Sequence, residues 1–216
     1  MNSNRFMRKK ILLEPQNTLF YIIDANFFAN KYLKSSESVN VTDHDRIENS
    51  HAWWEVIDWQ INNNIAIVFI NELCIAETFK VIAKKYYQEK VINNNVFQVI
   101  KKQITNNIQL SVRKLISKSR YIQFHNITVD RDIIIGASRY LEIAHKHNLQ
   151  SLSVIDLTIL SSAKYLMDFY RIKKEQIIIL TGDRKIIKCA KFSNEGPCVF
   201  DPLDPNNTID KYFVNS

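Results

Sequence analysis

Glycine is scarce in this chain, and its scarcity excludes two common nucleotide-binding motifs. Only three glycines occur among the 216 residues, at Gly136, Gly182 and Gly196. A phosphate-binding P-loop and a dinucleotide-binding turn each need several glycines within one short segment. Glycines so far apart can form neither motif, and the chain also lacks the GxSxG turn that carries the nucleophile of many hydrolases.

Cysteines and long apolar runs are few as well. The three cysteines, Cys74, Cys189 and Cys198, are an odd number without CxxC spacing. This pattern favours a reducing cytoplasm over a disulfide framework. No segment approaches the roughly 20 apolar residues that span a bilayer, and the basic N-terminus is not followed by the apolar run of a signal peptide. The sequence therefore predicts a cytoplasmic protein that does not enter a membrane.

The composition predicts one large folded domain with a polyanionic partner. Hydrophobic residues make up 46% of the chain, which is enough to build a core. The formal net charge of +7 favours association with polyanions. We expect a basic extension over residues 1–17, a domain over 18–200 and a turn-rich tail over 201–216.

Continuous apolar runs alternate with helical patterns along the domain. The runs predict strands buried on both faces, at 19–23, 65–70, 176–180 and about 197–200, with 121–124 ambiguous. The helical patterns cover 51–61, 72–87, 132–147 and 154–169. This alternation predicts an α/β protein, a three-layer α/β/α sandwich around a mainly parallel sheet.

Residues 90–129 depart from this alternation and predict a helical insertion. This stretch contains no acidic residue, whereas an apolar residue recurs at every fourth position from Val96 to Ile116. The cations expected on its outer face, which we interpret as RNA-binding, are Lys101, Lys102, Arg113, Lys114, Lys118 and Arg120. A solvated helix that only covers the core is the structural alternative.

Four acidic residues are the main candidates for a functional site. Asp24 and Asp183 each follow an apolar run, and Asp156 stands near the start of a predicted helix. Carboxyl ends of parallel strands meet at one edge of a sheet, where ligands bind. Glu77 has the apolar neighbours Leu73 and Cys74 one turn before it, so we expect it to point towards the core and reach the same edge.

Carboxylates that converge in this way repel one another unless a cation compensates. Oxygen ligands suit Mg²⁺ or Mn²⁺. Each aspartate also has a purely structural interpretation, however. Asp24 and Asp183 suit helix N-caps, and Ser153 with Asp156 has the spacing of a capping box.

With these residues identified, the chain resembles the PIN-domain nucleases, in particular the VapC-type toxin ribonucleases. The resemblance runs, in order, through IIDANFFA, NELCIAETFKVI, SLSVIDLTILSSAKYL and IIILTGDRKI. The acids of the family correspond to Asp24, Glu77, Asp156 and Asp183. The resemblance also implies two supporting residues: Thr181, in the Thr-x-Asp turn, and Asn26, which replaces a small hydroxyl residue that is usual in the family.

The resemblance implies a PIN-like fold, a site that holds Mg²⁺ or Mn²⁺, and hydrolysis of RNA phosphodiester bonds by in-line attack of water. The implied partners are RNA, an antitoxin protein and a second copy of the chain. Two alternatives stay open, namely a non-catalytic PIN-fold module that binds RNA or protein, and a structure-specific DNA nuclease of related fold.

Overall fold

The computed structural model describes residues 18–116, 124–149 and 151–204. Within these ranges a five-stranded sheet has the order β3-β2-β1-β4-β5, and every neighbouring pair of strands is parallel. The strands are β1 Leu19–Ile23, β2 Ala66–Asn71, β3 Phe124–Ile127, β4 Ile177–Leu180 and β5 Cys198–Phe200. The predicted α/β class with a parallel sheet is therefore confirmed.

Seven α-helices accompany the sheet in the described ranges. They are α1 Ala25–Asn30, α2 Val41–Asn62, α3 Glu72–Tyr87, α4 Asn94–Ile116, α5 Arg131–Lys146, α6 Val154–Tyr170 and α7 Arg184–Phe192. Every residue of β2 and β4 is buried, although successive side chains of a strand point to opposite faces. Both faces of the sheet are consequently covered, which is compatible with three layers. None of the described helices has the length and apolar character needed to cross a membrane.

The register of the three central strands brings their carboxyl ends together. Ile23, the last residue of β1, pairs with Ile70 of β2 and with Leu180 of β4. The backbone N–H of Asp24 then donates to the carbonyl oxygen of Leu180 at 3.3 Å. The residues that directly follow β1 and β4 are therefore neighbours at one edge of the sheet.

The stretch from 90 to 129 contains the predicted helix, but it also contributes a strand to the sheet. Ile100 and Ile104 of α4 are buried, as the apolar stripe requires. β3, however, pairs with β2, so the predicted insertion overlaps the sheet. The short edge strand Phe124–Ile127 has too few apolar residues to give a clear strand pattern.

The start of α2 differs from the prediction, and most of the two predicted terminal segments cannot be compared with the structure. α2 begins at Val41 rather than near 51, because the side chain of Asn40 caps the helix by accepting from the backbone N–H of Asp43 at 3.0 Å. The predicted extension 1–17 and residues 205–216 of the predicted tail lie outside the described residues. Residues 201–204 do form a turn, in which the backbone N–H of Asp204 donates to the carbonyl oxygen of Asp201.

Candidate active site

Asp24 is a buried carboxylate at the end of the central strand. Its side chain is only 5% exposed, and its Oδ1 accepts a hydrogen bond from the backbone N–H of Phe27 at 2.6 Å, which caps α1. Burial raises the pKa of Asp24 to about 6, against the lowering effect of its hydrogen bonds to Thr181 and Phe27. The negative charges of Asp156 and Asp183 raise this pKa further.

Thr181 connects Asp24 to Asp183. The Thr181 side chain is fully buried just after β4, and its hydroxyl hydrogen-bonds the Asp24 carboxylate. The same oxygen accepts from the backbone N–H of Asp183 at 3.0 Å. Asp183 in turn caps α7, because its Oδ1 accepts from the backbone N–H of Lys185 at 2.7 Å. One buried hydroxyl thus fixes the relative positions of two of the acids.

Asp156 lies in the first turn of α6 and forms the expected capping box with Ser153. Its Oδ2 accepts from the backbone N–H of Ser153 at 2.8 Å, and its own backbone N–H donates to Ser153 Oγ at 3.2 Å. Burial, followed by the charge of Asp183, raises the pKa of Asp156, whereas Ser153 and Lys185 lower it. The capping role and the proximity to the other acids therefore coexist in this residue.

Glu77 is placed differently from the sequence-based expectation. The buried side of α3 consists of Cys74, Thr78, Ile82 and Lys85. Glu77 stands beside this face and is half-buried, while Leu73 is 36% exposed. The prediction that Glu77 points into the core is therefore wrong. Burial and the charge of Asp156 nevertheless raise the pKa of its carboxyl, so Glu77 remains close to the group.

The pKa of the buried Cys74 thiol indicates that three of these acids lie near the same point. Burial raises the pKa of Cys74, and the charges of Asp24, Glu77 and Asp156 raise it further. Asp183 lies near the same group, because its charge raises the pKa of both Asp24 and Asp156. Within the ranges that the structure covers, no three histidine, cysteine, aspartate or glutamate side chains are gathered closely enough to hold one metal ion together. The structure thus shows electrostatically coupled carboxylates at one edge of the sheet.

Asn71 is a buried polar residue of this edge that sequence reasoning missed. As the last residue of β2 it is fully buried, and its amide donates to Ser162 Oγ at 3.2 Å and to Thr158 Oγ1 at 3.4 Å. Its Oδ1 accepts from the backbone N–H of Leu73 at 2.8 Å, which caps α3. Asn71 therefore ties the central sheet to α6, the helix that carries Asp156. A polar residue that ends an apolar run was the available signal.

A polar cleft of about 670 Å³ opens beside Asp24 and Asp183. The predicted supporting residue Asn26 is exposed and lines it, together with residues of α2 and α3. Glu77 lines an adjoining cavity of about 340 Å³, which shares Val81 and Lys84 with the cleft. Two of the four acids thus line the cleft itself, and Glu77 lines the cavity next to it.

Two of the predicted RNA-binding cations, Lys101 and Lys102 of α4, are described in the structure and do not line this cleft. Lys101 and Lys102 are exposed, and the Lys101 ammonium lies 5.1 Å from the centre of the Phe97 ring. Arg113 and Lys114 belong to α4, but their side chains are not among those described. Lys118 and Arg120 lie outside the described residues. The role of this face remains a prediction.

Comparison of the chain with protein-family models, with curated proteins and with solved structures finds no significant match. The described fold is that of an α/β protein with an all-parallel five-stranded sheet. Its coupled carboxylates occupy the edge where open parallel sheets bind their ligands.

Proposed function

We propose that this chain is a PIN-like ribonuclease that depends on a divalent metal ion and hydrolyses RNA phosphodiester bonds. The observation that carries the proposal is that Asp24 and Asp183, which follow β1 and β4, lie close to Asp156 at the start of α6, so that the charge of Asp183 raises the pKa of both other aspartates. A carboxylate as buried as Asp24 is costly to keep ionised unless a cation or hydrogen bonds compensate. Among the described residues, no cationic side chain contributes to the pKa shift of Asp24.

The chemistry of these side chains fits Mg²⁺ or Mn²⁺, because all four offer carboxylate oxygens. Because no three of these carboxylates lie close enough in the structure to hold one ion together, we assign only Asp24 and Asp156 as direct ligands, and Glu77 and Asp183 as ligands that act directly or through water. When bound, such an ion lowers the pKa of water and neutralises charge on the phosphate. The chain needs no nucleophilic side chain of its own for this reaction.

The other residues of the edge position these carboxylates. Thr181 holds Asp24 and the backbone of Asp183 through a single hydroxyl. Asn71 fixes the start of α3 and contacts α6. Asn26 is exposed and lines the cleft, and in this proposal it contacts the substrate. The site is thus built from groups whose hydrogen bonds restrict their motion, which favours precise placement of reacting groups.

Further partners follow from the same proposal. The net charge of +7 favours RNA, and the exposed Lys101 and Lys102 offer phosphate contacts on α4. If the chain acts as a toxin, it acts in the cytoplasm, as a monomer or homodimer, and an antitoxin protein silences it.

A non-catalytic binding module is the competing function, and one observation favours it. Asp24, Asp156 and Asp183 each accept a hydrogen bond that caps a helix. Capping would explain these three residues without any metal or reaction. Capping does not explain why Asp24 is buried near two other carboxylates, since an N-cap residue works equally well when exposed.

RNA cleavage by the purified protein tests the proposed function. We expect single-stranded or structured RNA to be cut in the presence of Mn²⁺ or Mg²⁺, with 5′-phosphate ends. Excess EDTA should abolish the reaction, and added Mn²⁺ should restore it. An Asp24→Asn protein purified in parallel controls for contaminating nucleases. Cleavage that persists in EDTA, or that the control protein shows equally, would contradict the proposal.

A further inference from the structure

The cleft beside Asp24 and Asp183 has the size of a ligand site. Its volume of about 670 Å³ falls within the range of roughly 300–1,000 Å³ typical of pockets for small ligands. Asp24 and Asp183 lie among its lining residues, and α1, α2, α3, the start of α7 and the turn after β5 supply most of its other walls. A segment of a linear polymer can therefore lie in the cleft with one of its linkages next to the carboxylates.

One face of α2 forms a wall of this cleft. Asp43, Arg46 and Ser50 are three, four and seven residues apart, so they share a side of the helix. Ser50 Oγ donates to the Arg46 carbonyl oxygen at 2.6 Å and accepts from the Asn30 amide at 3.0 Å. The bond from Asn30 holds the α2 wall against the end of α1, and Asn30 itself lines the cleft.

The wall formed by α3 carries charges that neutralise one another. Lys85 is buried and pairs with both Asp43 and Glu89, the latter at 3.1 Å. Lys84 also pairs with Glu89, at 2.9 Å. These four side chains join α2 to α3 and leave no net charge for a ligand.

Arg46 and Arg184 are the cations of the cleft that remain available to a ligand. Both side chains are exposed, and neither has an ion-pair partner in the described part of the chain. Arg184 directly follows Asp183 at the start of α7, whereas Arg46 projects from the α2 wall. A guanidinium group donates paired hydrogen bonds whose geometry matches a phosphate.

We propose that the cleft holds a single strand of the RNA substrate, and that Arg46 and Arg184 bind phosphates next to the one that is cut. The proposal rests on the proposed ribonuclease function and assigns its substrate path. Arg46 and Arg184 act as positioning residues, because they hold phosphates that do not react. The exposed cations of α4 would then contact the strand only outside this path.

The net charge of the cleft implies that RNA binding there depends on a divalent cation. Four cationic and five acidic side chains line it, so its formal charge is slightly negative. A divalent cation held by the carboxylates would reverse that sign. Binding of a strand in the cleft should therefore need a divalent cation even when no cleavage occurs.

Fluorescence anisotropy with a labelled single-stranded RNA tests the assignment. Wild-type protein should bind at least tenfold more tightly in Ca²⁺ than in EDTA, with the RNA shown intact on a gel. Arg46→Gln/Arg184→Gln should weaken binding in Ca²⁺ at least tenfold. It should also reduce the slope of log affinity against log salt by about 1.4, for two lost contacts with a single strand.

A matched control removes two cations at the other end of the sheet. Lys146, at the end of α5, and Lys173, before β4, are exposed and do not line the cleft. Lys146→Gln/Lys173→Gln should change affinity less than about twofold. Circular dichroism and melting should show all variants folded.

The outcomes separate this inference from the proposed function. If the arginine variant binds like the control variant while wild type still cleaves RNA, the nuclease stands and the cleft is not the RNA path. If the arginines and a divalent cation govern binding but no RNA is cleaved in Mn²⁺, the inference stands and the ribonuclease proposal fails. If wild-type protein binds the RNA equally well in Ca²⁺ and in EDTA, the claim that strand binding needs a divalent cation is wrong.

Discussion

Replacing Asp24 by asparagine should reduce RNA cleavage by about 100-fold or more, and Asp156→Asn should have a comparable effect. An asparagine oxygen can still accept from the backbone N–H of Phe27 or of Ser153, so each helix cap survives. What is lost is the negative charge that would bind the cation. A bound cation contributes several kcal/mol to such a reaction, and each 1.36 kcal/mol corresponds to about tenfold in rate.

Asp130 provides a matched control for these substitutions. It caps α5 by accepting from the backbone N–H groups of Asp132 and Ile133, both at 3.1 Å, and it is exposed. Asp130→Asn should therefore keep near wild-type turnover. Single-turnover cleavage in saturating Mn²⁺, with a melting curve for each protein, measures the effect. Near wild-type turnover in Asp24→Asn would refute the assignment of that residue.

Asp24→Asn should also change how the stability of the metal-free protein depends on pH. The pKa of Asp24 is raised from 3.8 to about 6, mainly by burial. The unfolded chain therefore loses this proton at lower pH than the folded chain. The contribution of Asp24 to folding stability is intact below about pH 4 and is lost as the pH rises to about 6. Over that window wild type should lose about 3 kcal/mol through this residue.

Urea unfolding in EDTA between pH 4 and pH 8 measures this difference. The free energy of unfolding of Asp24→Asn should not show the part of the decrease that Asp24 causes in wild type. At pH 8 the variant should be at least as stable as wild type. Asp130→Asn should follow the wild-type profile. If Asp24→Asn is instead less stable by a similar amount at every pH, the helix cap outweighs the cost of the buried charge.

Most of the sheet could be predicted from the sequence because its strands are continuous apolar runs. β1 and β4 match the predicted ranges to within one residue. The ambiguous stretch 121–124 shares only Phe124 with β3, because a four-residue edge strand with His125 and Asn126 carries little periodicity. The first part of α2 was missed because residues 41–50 are mostly polar, and the cap at Asn40 determines where this helix begins.

In the candidate site, too, some positions could be predicted from the sequence and others could not. The positions of Asp24 and Asp183 follow from strand ends, which topology brings to one edge. The orientation of Glu77 depends on how α3 rotates against its neighbours, and its buried face at Cys74, Thr78 and Ile82 could not be chosen from sequence alone. Arg46 was missed for a related reason, since it reaches the cleft only through the packing of α2 beside α1.

Calorimetric titration with Mn²⁺ tests most directly whether the acids share one cation site. We expect wild-type protein to bind Mn²⁺, and Asp24→Asn, Asp156→Asn and Asp183→Asn each to weaken the same binding event at least tenfold, while Asp130→Asn leaves it unchanged. Wild-type Mn²⁺ affinity in all three variants, or no binding to wild type, would contradict a shared site at the end of the sheet.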